Sequence, residues 1–228
     1  MNNSKPNLVI YDFCETIVSI QTADRFINYC SGSINPNSFI SSLEKILIKS
    51  RFFAIINLIY PKLNLSKKIN LLKIRNVSEL QLNRLAIKYY EGLIKPNFNS
   101  LILERLRQDI KKKNIVLIIS GGYDFYLKLF CEDFGINYLL SSKIKIMDSK
   151  ASGFLDGKDC MFEQKVLLLN KLILDENLDF ENTIVYSDSI TDLPLFNWAK
   201  ERFVISYNKS QNWVKQHNFN ELIINRNA

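Results

Sequence analysis

The sequence has almost no histidine and no paired cysteines. His217 is the only histidine in 228 residues and lies near the C-terminus, which disfavours a Ser/His/Asp triad or a multi-histidine metal site. The four cysteines, at positions 14, 30, 131 and 160, form no C-x-x-C pair, and none is followed six positions later by arginine. This disfavours a zinc knuckle, a dense disulfide scaffold and a thiol-based phosphatase loop. We therefore expect reduced thiols and chemistry that depends on carboxylates.

Long hydrophobic runs are also missing. No stretch of about 18 uncharged apolar residues exists, and the N-terminal MNNSKPN has neither the basic flank nor the apolar run of a signal peptide. The run FFAIINLIY is too short to span a bilayer, so a buried helix is favoured and an interfacial anchor is the minor alternative. We expect a soluble, cytoplasmic protein without a transmembrane segment.

Positive charge is concentrated in one segment. The net charge is +7, and residues 17–95 hold 12 Lys and Arg against 4 Asp and Glu, whereas the remainder holds 18 against 19. Such a segment suits an anionic small substrate, nucleic acid or anionic lipid, but a solvated helical surface is the favoured interpretation for most of these lysines. No recognised nucleic-acid motif is present, so we expect no nucleic-acid partner.

Short apolar runs recur along the chain with helical patterns between most of them. This alternation, with runs too uniformly apolar for a one-sided sheet, predicts an α/β fold with a central parallel sheet covered on both faces. The 47% apolar content supports a well-buried interior. Ligands of such sheets bind at the carboxyl ends of the strands. The predicted strands are 8–11, 115–119, 137–140, 183–186 and 202–206.

Residues 17–95 interrupt this alternation. Helix-period apolar spacing occurs in SFISSLEKILIKSRFFAIINLIY and again in VSELQLNRLAIKYYEGLI, with Pro36, Pro61 and Pro96 between and after them. We predict an all-helical insert over 17–95 that leaves the core just after its first strand. The core would then comprise residues 1–16 and 96–228.

Polar residues follow the predicted strands or open the next helix. Asp12 follows LVIY, Ser120 follows IVLII, Asp188 lies just beyond TIVY, and Lys165 opens a helix. A doubly wound sheet would bring all four to one edge. An aspartate after a strand is most often a turn former or a helix cap, so each position alone carries little weight.

The combination carries more weight, because D-F-C-E-T, I-I-S-G-G, Lys165 and Y-S-D-S-I-T-D-L-P-L occur in order. This resembles the haloacid dehalogenase (HAD) superfamily of phosphatases over residues 8–17 and 97–206. The segments SGFLDGKDCMFEQK and YSDSITDLPL are most similar to the phosphoserine-phosphatase-like branch. The resemblance implies a Rossmann-like core with a helical C1-type cap, here residues 17–95, and hydrolysis of a phosphate monoester through an aspartyl-phosphate.

The resemblance also implies a role for each motif residue. A carboxylate attacking an anionic ester needs a cation to cancel the repulsion, and Mg²⁺ suits oxygen ligands. Glycine amides and a helix N-terminus suit phosphoryl oxygens. The implied roles are Asp12 as nucleophile, Lys165 as fixed positive charge and phosphate contact, Ser120, Gly121 and Gly122 as the phosphate cradle, and Asp12, the Cys14 carbonyl, Asp188 and Asp192 around Mg²⁺.

Cys14 departs from the family pattern Asp-x-Asp-x-Thr, whose second Asp protonates the leaving alcohol and then activates water. A backbone carbonyl survives this change, but acid–base help is usually worth about 10²–10⁴ in rate, and a thiol with a free pKa near 8.5 supplies it poorly. Three outcomes are open: a slower phosphatase in which Glu15, substrate or water covers the role, a phosphotransferase, or a non-catalytic relative. The first is favoured because Asp12, Lys165 and the metal carboxylates all remain.

The basic insert suggests how substrate is chosen. Arg25, Arg51 and Arg75, with Lys73, are candidates to bind a second negative group such as a carboxylate or a nucleotide diphosphate. The expected partner is a small phosphorylated molecule, with phosphoserine and an intermediate of sugar, lipid or surface-polysaccharide biosynthesis equally open. A non-catalytic basic binding module is the alternative from another class, and the oligomeric state stays open.

Overall fold

The computed structural model describes residues 5–34 and 64–225. Six parallel strands form a central sheet in the order β3-β2-β1-β6-β7-β8, and two further strands form an antiparallel hairpin. The strands are β1 Leu8–Tyr11, β2 Ile115–Tyr123, β3 Tyr138–Ser142, β4 Ile144–Met147, β5 Lys150–Leu155, β6 Thr183–Ser187, β7 Glu201–Tyr207 and β8 Asn220–Ile224. The predicted α/β class with a central parallel sheet is confirmed.

Helices connect most of these strands. Within the described ranges, no helix is both long and apolar enough to cross a membrane. The α-helices are α1 Ala23–Ile34, α2 Leu65–Leu71, α3 Glu79–Tyr89, α4 Ser100–Lys111, α5 Asp124–Phe134, α6 Glu163–Asp175, α7 Leu193–Trp198 and α8 Asn212–Gln216. Short 3₁₀ turns cover Leu72–Ile74, Lys95–Asn97 and Ile190–Asp192, and a π-helical turn covers Tyr90–Ile94.

Strand β1 shows why the apolar runs are so uniform. Leu8 and Ile10 pack into the hydrophobic cluster on one face of the sheet, and Val9 and Tyr11 pack into the larger cluster on the other. All four side chains are fully buried. Since successive strand residues point to opposite faces, a strand covered on both sides needs apolar residues at every position. Each buried aliphatic side chain contributes roughly 1.5–3 kcal/mol to folding.

The strand order places β1 between β2 and β6. Tyr11, the last residue of β1, pairs with Ile118 of β2 and with Tyr186 of β6. The backbone N–H of Asp12 then donates to the Tyr186 carbonyl at 2.9 Å. The residues that follow these three neighbouring strands therefore share one edge of the sheet.

The described parts of the insert are mainly helical. The predicted helix in VSELQLNRLAIKYYEGLI is confirmed: α3 begins after Ser78, whose side chain and that of Gln81 form a capping box, and the π-helical turn continues it to Ile94. The other predicted pattern, SFISSLEKILIKSRFFAIINLIY, lies outside the described residues. The division into a core and a cap domain stays a prediction.

Three features of the sheet were not predicted. The hairpin β4–β5 turns through Asp148 and Ser149, both with positive φ, where two-residue hairpins usually carry Asn-Gly or Asp-Gly. Strand β8 is a five-residue strand at the edge of the sheet. Strand β2 continues through Ser120 to Tyr123, with a register shift against β3 between these two residues.

Candidate active site

A cavity of about 230 Å³ opens at the carboxyl edge of β2, β1 and β6. It is lined by most of the residues predicted from the motifs, which come from four separate parts of the chain. These are Asp12, Cys14, Ser120, Gly121, Lys165, Asp188 and Asp192. The convergence expected from a doubly wound sheet is therefore seen in the described residues.

Lys165 joins two of the carboxylates. Its Nζ donates to Asp12 Oδ1 and to Asp192 Oδ2, both at 2.7 Å, and its side chain is almost fully buried. Asp192 Oδ2 also accepts from Ser187 Oγ at 2.6 Å. Burial lowers the pKa of the Lys165 ammonium, but Asp12 and Asp192 outweigh it, so this pKa lies above its ordinary value. Asp192 thus holds Lys165 in place against Asp12.

The Asp12 carboxylate is buried with only one cation beside it among the described residues. Burial raises its pKa to about 6, and the negative charge of Asp192 adds to this, while Lys165 acts in the opposite direction. A group with this pKa is ionised at neutral pH. Asp12 is therefore available as a carboxylate nucleophile.

Asp188 lies beside this pair without a cation of its own in the described part of the chain. Its carboxylate accepts a long hydrogen bond of 3.4 Å from Thr16 Oγ1. Burial raises the pKa of Asp188 well above its ordinary value, and Asp12, Asp192 and Glu15 raise it further. Three carboxyl groups (Asp12, Asp188, Asp192) therefore surround one ammonium among the described residues, and this excess of acidic oxygens suits a divalent cation with oxygen ligands.

No three His, Cys, Asp or Glu side chains within residues 5–34 and 64–225 already surround one metal position. Asp12 and Asp192 each direct one oxygen to Lys165, which accounts for this in part. The predicted ligand set also includes the Cys14 carbonyl, a backbone atom. The excess of carboxyl groups over ammonium groups fits a divalent cation, and the ligand assignments themselves stay predictions.

Cys14 is half-buried and lines the cavity. Its Sγ lies 2.8 Å from Thr22 Oγ1. Burial raises the pKa of the thiol to about 11, and the Asp12 charge adds to the shift. Cys14 is therefore a neutral thiol at physiological pH, able to donate a hydrogen bond but not to serve as a base.

The structure separates the members of the predicted phosphate cradle. Ser120 and Gly121 line the cavity, whereas Gly122 is not among its lining residues. The Gly122 N–H donates to Ser120 Oγ at 3.0 Å instead. Helix α5 begins only at Asp124, so its N-terminus lies beyond both glycines.

The predicted arginines of the insert lie elsewhere. Arg25 and Arg75 are exposed, and neither lines the cavity. The Arg75 side chain packs near Gly153 on β5. Lys73 donates to Asn28 Oδ1 at 2.8 Å. Arg51 lies outside the described residues.

Lys67, on α2, is a site residue that the motifs did not indicate. It is 4% exposed and lines the cavity. Its Nζ donates to the Gly121 carbonyl at 2.6 Å, to Ser142 Oγ at 3.1 Å and to Asp159 Oδ1 at 2.5 Å. These contacts attach α2 to the end of β2 and to Asp159. One pattern could have indicated it, because Lys67 shares a helix face with Leu71, four residues further on.

The cavity is also lined by residues outside the predicted set. Gln21, Ala23 and Asp24 come from the start of the insert, and the others are Asn64, Met161, Ser189 and Thr191. Asn70 Nδ2 donates to Asp24 Oδ1 at 2.8 Å. Most of these additional residues are polar, and Asp24 adds an acidic group.

Comparison with known proteins agrees with this geometry. The family described as haloacid dehalogenase-like hydrolase matches residues 9–197. The phosphoserine phosphatase of Methanocaldococcus jannaschii is 24% identical over 196 residues, covering 86% of this chain and 83% of that protein. The phosphoserine phosphatase of Archaeoglobus fulgidus is 20% identical over 191 residues, covering 83% of this chain but only 49% of that protein.

Solved structures share the fold. A Bordetella pertussis protein of unknown function superposes with a TM-score of 0.80 at 14% identity, over 96% of this chain and 99% of its own. A phosphoserine phosphatase carrying an analogue of the phospho-aspartyl intermediate superposes with a TM-score of 0.64 at 17% identity, over 96% and 94%. The resemblance to phosphoserine-phosphatase-like proteins is thereby confirmed, and this chain belongs to the haloacid dehalogenase-like hydrolase family.

Proposed function

We propose that this protein hydrolyses a small phosphate monoester, using Asp12 as nucleophile and Mg²⁺ as cofactor. The observation that carries this proposal is the buried Asp12–Lys165–Asp192 bridge beside Asp188 in one cavity. The family match and the two phosphatase relatives support phosphate hydrolysis in general. The metal, the intermediate and the substrate are our proposals.

The metal would be held by the carboxylates of Asp12 and Asp188 and by the Cys14 carbonyl, with Asp192 nearby. When bound, Mg²⁺ supplies positive charge that reduces repulsion between an anionic ester and a carboxylate. The three carboxyl groups that share one ammonium in this cluster support a divalent ion. The hydrogen bonds from Lys165 and Ser187 to Asp192 favour a positioning role for that side chain over direct ligation.

The chain's own residues would carry the transfer as follows. Asp12 attacks phosphorus and the leaving oxygen departs, which gives an aspartyl-phosphate that water then hydrolyses. Lys165 compensates the charge that shifts from the Asp12 oxygen to the phosphoryl group. The Ser120 hydroxyl and the Gly121 backbone, both at the cavity, orient the phosphoryl oxygens.

The cavity supports a compact leaving group. A volume of about 230 Å³ lies below the usual range of roughly 300–1,000 Å³ for ligand pockets. Beyond the predicted residues, its lining includes Gln21, Asp24 and Asn64, and the ammonium of Lys67 is paired with Asp159. We propose a small hydroxylated or amine-bearing alcohol as leaving group, in place of the second anion expected from the insert arginines.

The experiment is turnover of p-nitrophenyl phosphate and acetyl phosphate with Mg²⁺, with EDTA and with added Mg²⁺ after EDTA. We expect Mg²⁺-dependent phosphate release that is lost in Asp12→Asn. Turnover indifferent to EDTA would remove the metal from the proposal. Turnover retained by Asp12→Asn would remove the nucleophile.

Phosphotransfer is the second candidate, and Cys14 favours it. A neutral thiol at this position does not accept a proton from water, so hydrolysis of the aspartyl-phosphate would be slow. An acceptor alcohol would then compete with water. Added glycerol or ethanolamine should in that case divert a measurable fraction of the phosphoryl group into a new ester. If the yield of inorganic phosphate stays complete at high acceptor concentration, transfer is excluded for these alcohols.

A further inference from the structure

We propose that Thr22 and Tyr126 form a one-directional hydrogen-bond chain that leaves the Cys14 S–H free to point into the cavity, where it donates to the leaving oxygen. This inference rests on the proposed function, because the leaving oxygen is that of the phosphate ester. Thr22 and Tyr126 are positioning residues, and Cys14 is the group that touches substrate.

The chain consists of three short contacts. Cys14 Sγ lies 2.8 Å from Thr22 Oγ1, and Thr22 Oγ1 lies 2.8 Å from the Tyr126 hydroxyl. The Tyr126 oxygen accepts from the backbone N–H of Tyr123 at 3.1 Å. Thr22 and Tyr126 are both 0% exposed, so no bulk water competes for these groups.

The backbone end of the chain sets its direction. The N–H of Tyr123 can only donate, so the Tyr126 oxygen accepts there and its own hydrogen must find another acceptor. Thr22 Oγ1 is the only other hydrogen-bond partner of Tyr126 in the described part of the chain. Thr22 therefore accepts from Tyr126 and donates its hydrogen to Cys14 Sγ. The hydrogen of Cys14 stays outside the chain.

The reverse direction is disfavoured. If Cys14 donated to Thr22 and Thr22 donated to Tyr126, the Tyr126 oxygen would accept two hydrogen bonds while its own hydrogen had no acceptor. An unpaired buried hydroxyl costs about 1–3 kcal/mol.

Packing fixes the Tyr126 hydroxyl in this position. The ring lies 5.1 Å from Phe26 and 5.4 Å from Tyr89, centroid to centroid, within the core. A Cβ added at Gly122 would overlap the Tyr126 hydroxyl. Gly122 therefore makes room for this chain, which explains a glycine that does not reach the cavity.

The chemical consequence is a fixed donor in place of the family's carboxyl acid. As the oxygen–phosphorus bond to Asp12 forms and the bond to the leaving group breaks, the Cys14 S–H donates to the departing oxygen. The proton stays on sulfur, and the leaving oxygen takes its proton from water. A hydrogen bond of this kind contributes most when the leaving group is a poor one, because more charge develops on its oxygen.

The test compares Tyr126→Phe with Tyr89→Phe. Tyr89 is a matched control, because its buried hydroxyl donates to the backbone oxygen of the same Thr22 but lies outside the chain to sulfur. We expect Tyr126→Phe to lower kcat/KM about 3–10-fold for phenyl phosphate and less than twofold for p-nitrophenyl phosphate. Tyr89→Phe should show no such dependence on leaving group. Thr22→Ser should retain the wild-type ratio, and Thr22→Val should lose it.

Two outcomes of these assays would overturn the proposal. One is an equal effect of Tyr126→Phe and Tyr89→Phe on both substrates. The other is an effect of Tyr126→Phe that persists in a Cys14→Ala background, because the chain acts only through the thiol.

A measurement without turnover separates this proposal from the phosphatase activity. The infrared S–H stretch of Cys14, assigned by difference from Cys14→Ala, should shift in Tyr126→Phe and stay unchanged in Tyr89→Phe. An unshifted band in Tyr126→Phe would refute the chain even in an active enzyme. A shifted band in a protein without phosphatase activity would keep the chain and refute the leaving-group role.

Discussion

Replacing Asp188 with asparagine removes one of three carboxylates that share a single ammonium, and we expect the metal-free protein to become more stable. Asp188 is half-buried, and its pKa is raised first by burial and then by the charges of Asp12, Asp192 and Glu15. Two like charges about 4 Å apart repel by roughly 4 kcal/mol at an effective dielectric constant of about 20, and the repulsion falls in inverse proportion to distance. Allowing for partial exposure and salt, we expect a gain of about 1–2 kcal/mol, or about 2–8 °C in Tm for a chain of this size.

The gain should depend on pH in a defined direction. The folded-state pKa of Asp188 lies above its unfolded value, so the folded state binds this proton more tightly than the unfolded state does. Below about pH 4 the carboxyl is protonated and its contribution to stability is fully present. As pH rises through the folded pKa, the carboxyl ionises and that contribution is lost. In EDTA, Asp188→Asn and wild type should therefore melt together at low pH and separate towards neutral pH. Asp156→Asn is the control, because it removes the same charge from an exposed loop.

Magnesium should reverse the order of stability. A ligand that binds only the folded state stabilises it by about 2.7 kcal/mol at a hundred times its Kd, and Asp188→Asn should lose most of that gain. Scanning calorimetry with EDTA and with millimolar Mg²⁺ measures both effects. If Asp188→Asn is less stable than wild type in EDTA at pH 7.5, the carboxylates are not in excess and the charge argument is refuted.

Three further substitutions test other parts of the site. Lys165→Met should lower kcat by about 10²–10³-fold. It should also destabilise the metal-free fold by about 3–5 kcal/mol, because Asp12 loses its buried cation. An unchanged melting temperature in EDTA would contradict this. Lys67→Met should lower Tm by several degrees, because it removes buried ionic contacts. The control Lys68→Met, at an exposed neighbouring residue, should leave Tm within about a degree. Equal Tm values for the two variants would show that the Lys67 contacts contribute nothing to stability. Cys14→Asp should preserve or raise the rate with p-nitrophenyl phosphate, whereas a large loss would show that the site is adapted to the thiol.

Much of the sheet could be predicted because it is buried on both faces. Strand β1 and the apolar first half of β2 carry no polar residue before the edge, so the strand ends and the polar residues beyond them stand out in the sequence. The convergence of Asp12, Ser120 and Asp188 then follows from parallel strands in neighbouring positions. The hairpin β4–β5 was missed because its turn residues, Asp148 and Ser149, are not those that mark a tight turn.

The side chains that complete the site could not be predicted from spacing. Lys67 reaches the cavity only through the way α2 packs on the core, and its partner Asp159 lies 92 residues further along the chain. Tyr126 falls in an ordinary apolar pattern, and only its contact with Thr22, 104 residues away, gives it a role. A lysine on the apolar face of a helix was the one detectable sign. Long-range contacts of this kind are set by tertiary packing, which short motifs do not encode.

The central claim is that Asp12 receives the phosphoryl group. The most direct test is to quench the protein during turnover of a ³²P-labelled monoester and to map the acid-stable label on proteolytic peptides. The account predicts label on Asp12, within the peptide that contains DFCET, and none in Asp12→Asn. Turnover with no covalent label at any time, or label on another residue, would contradict it.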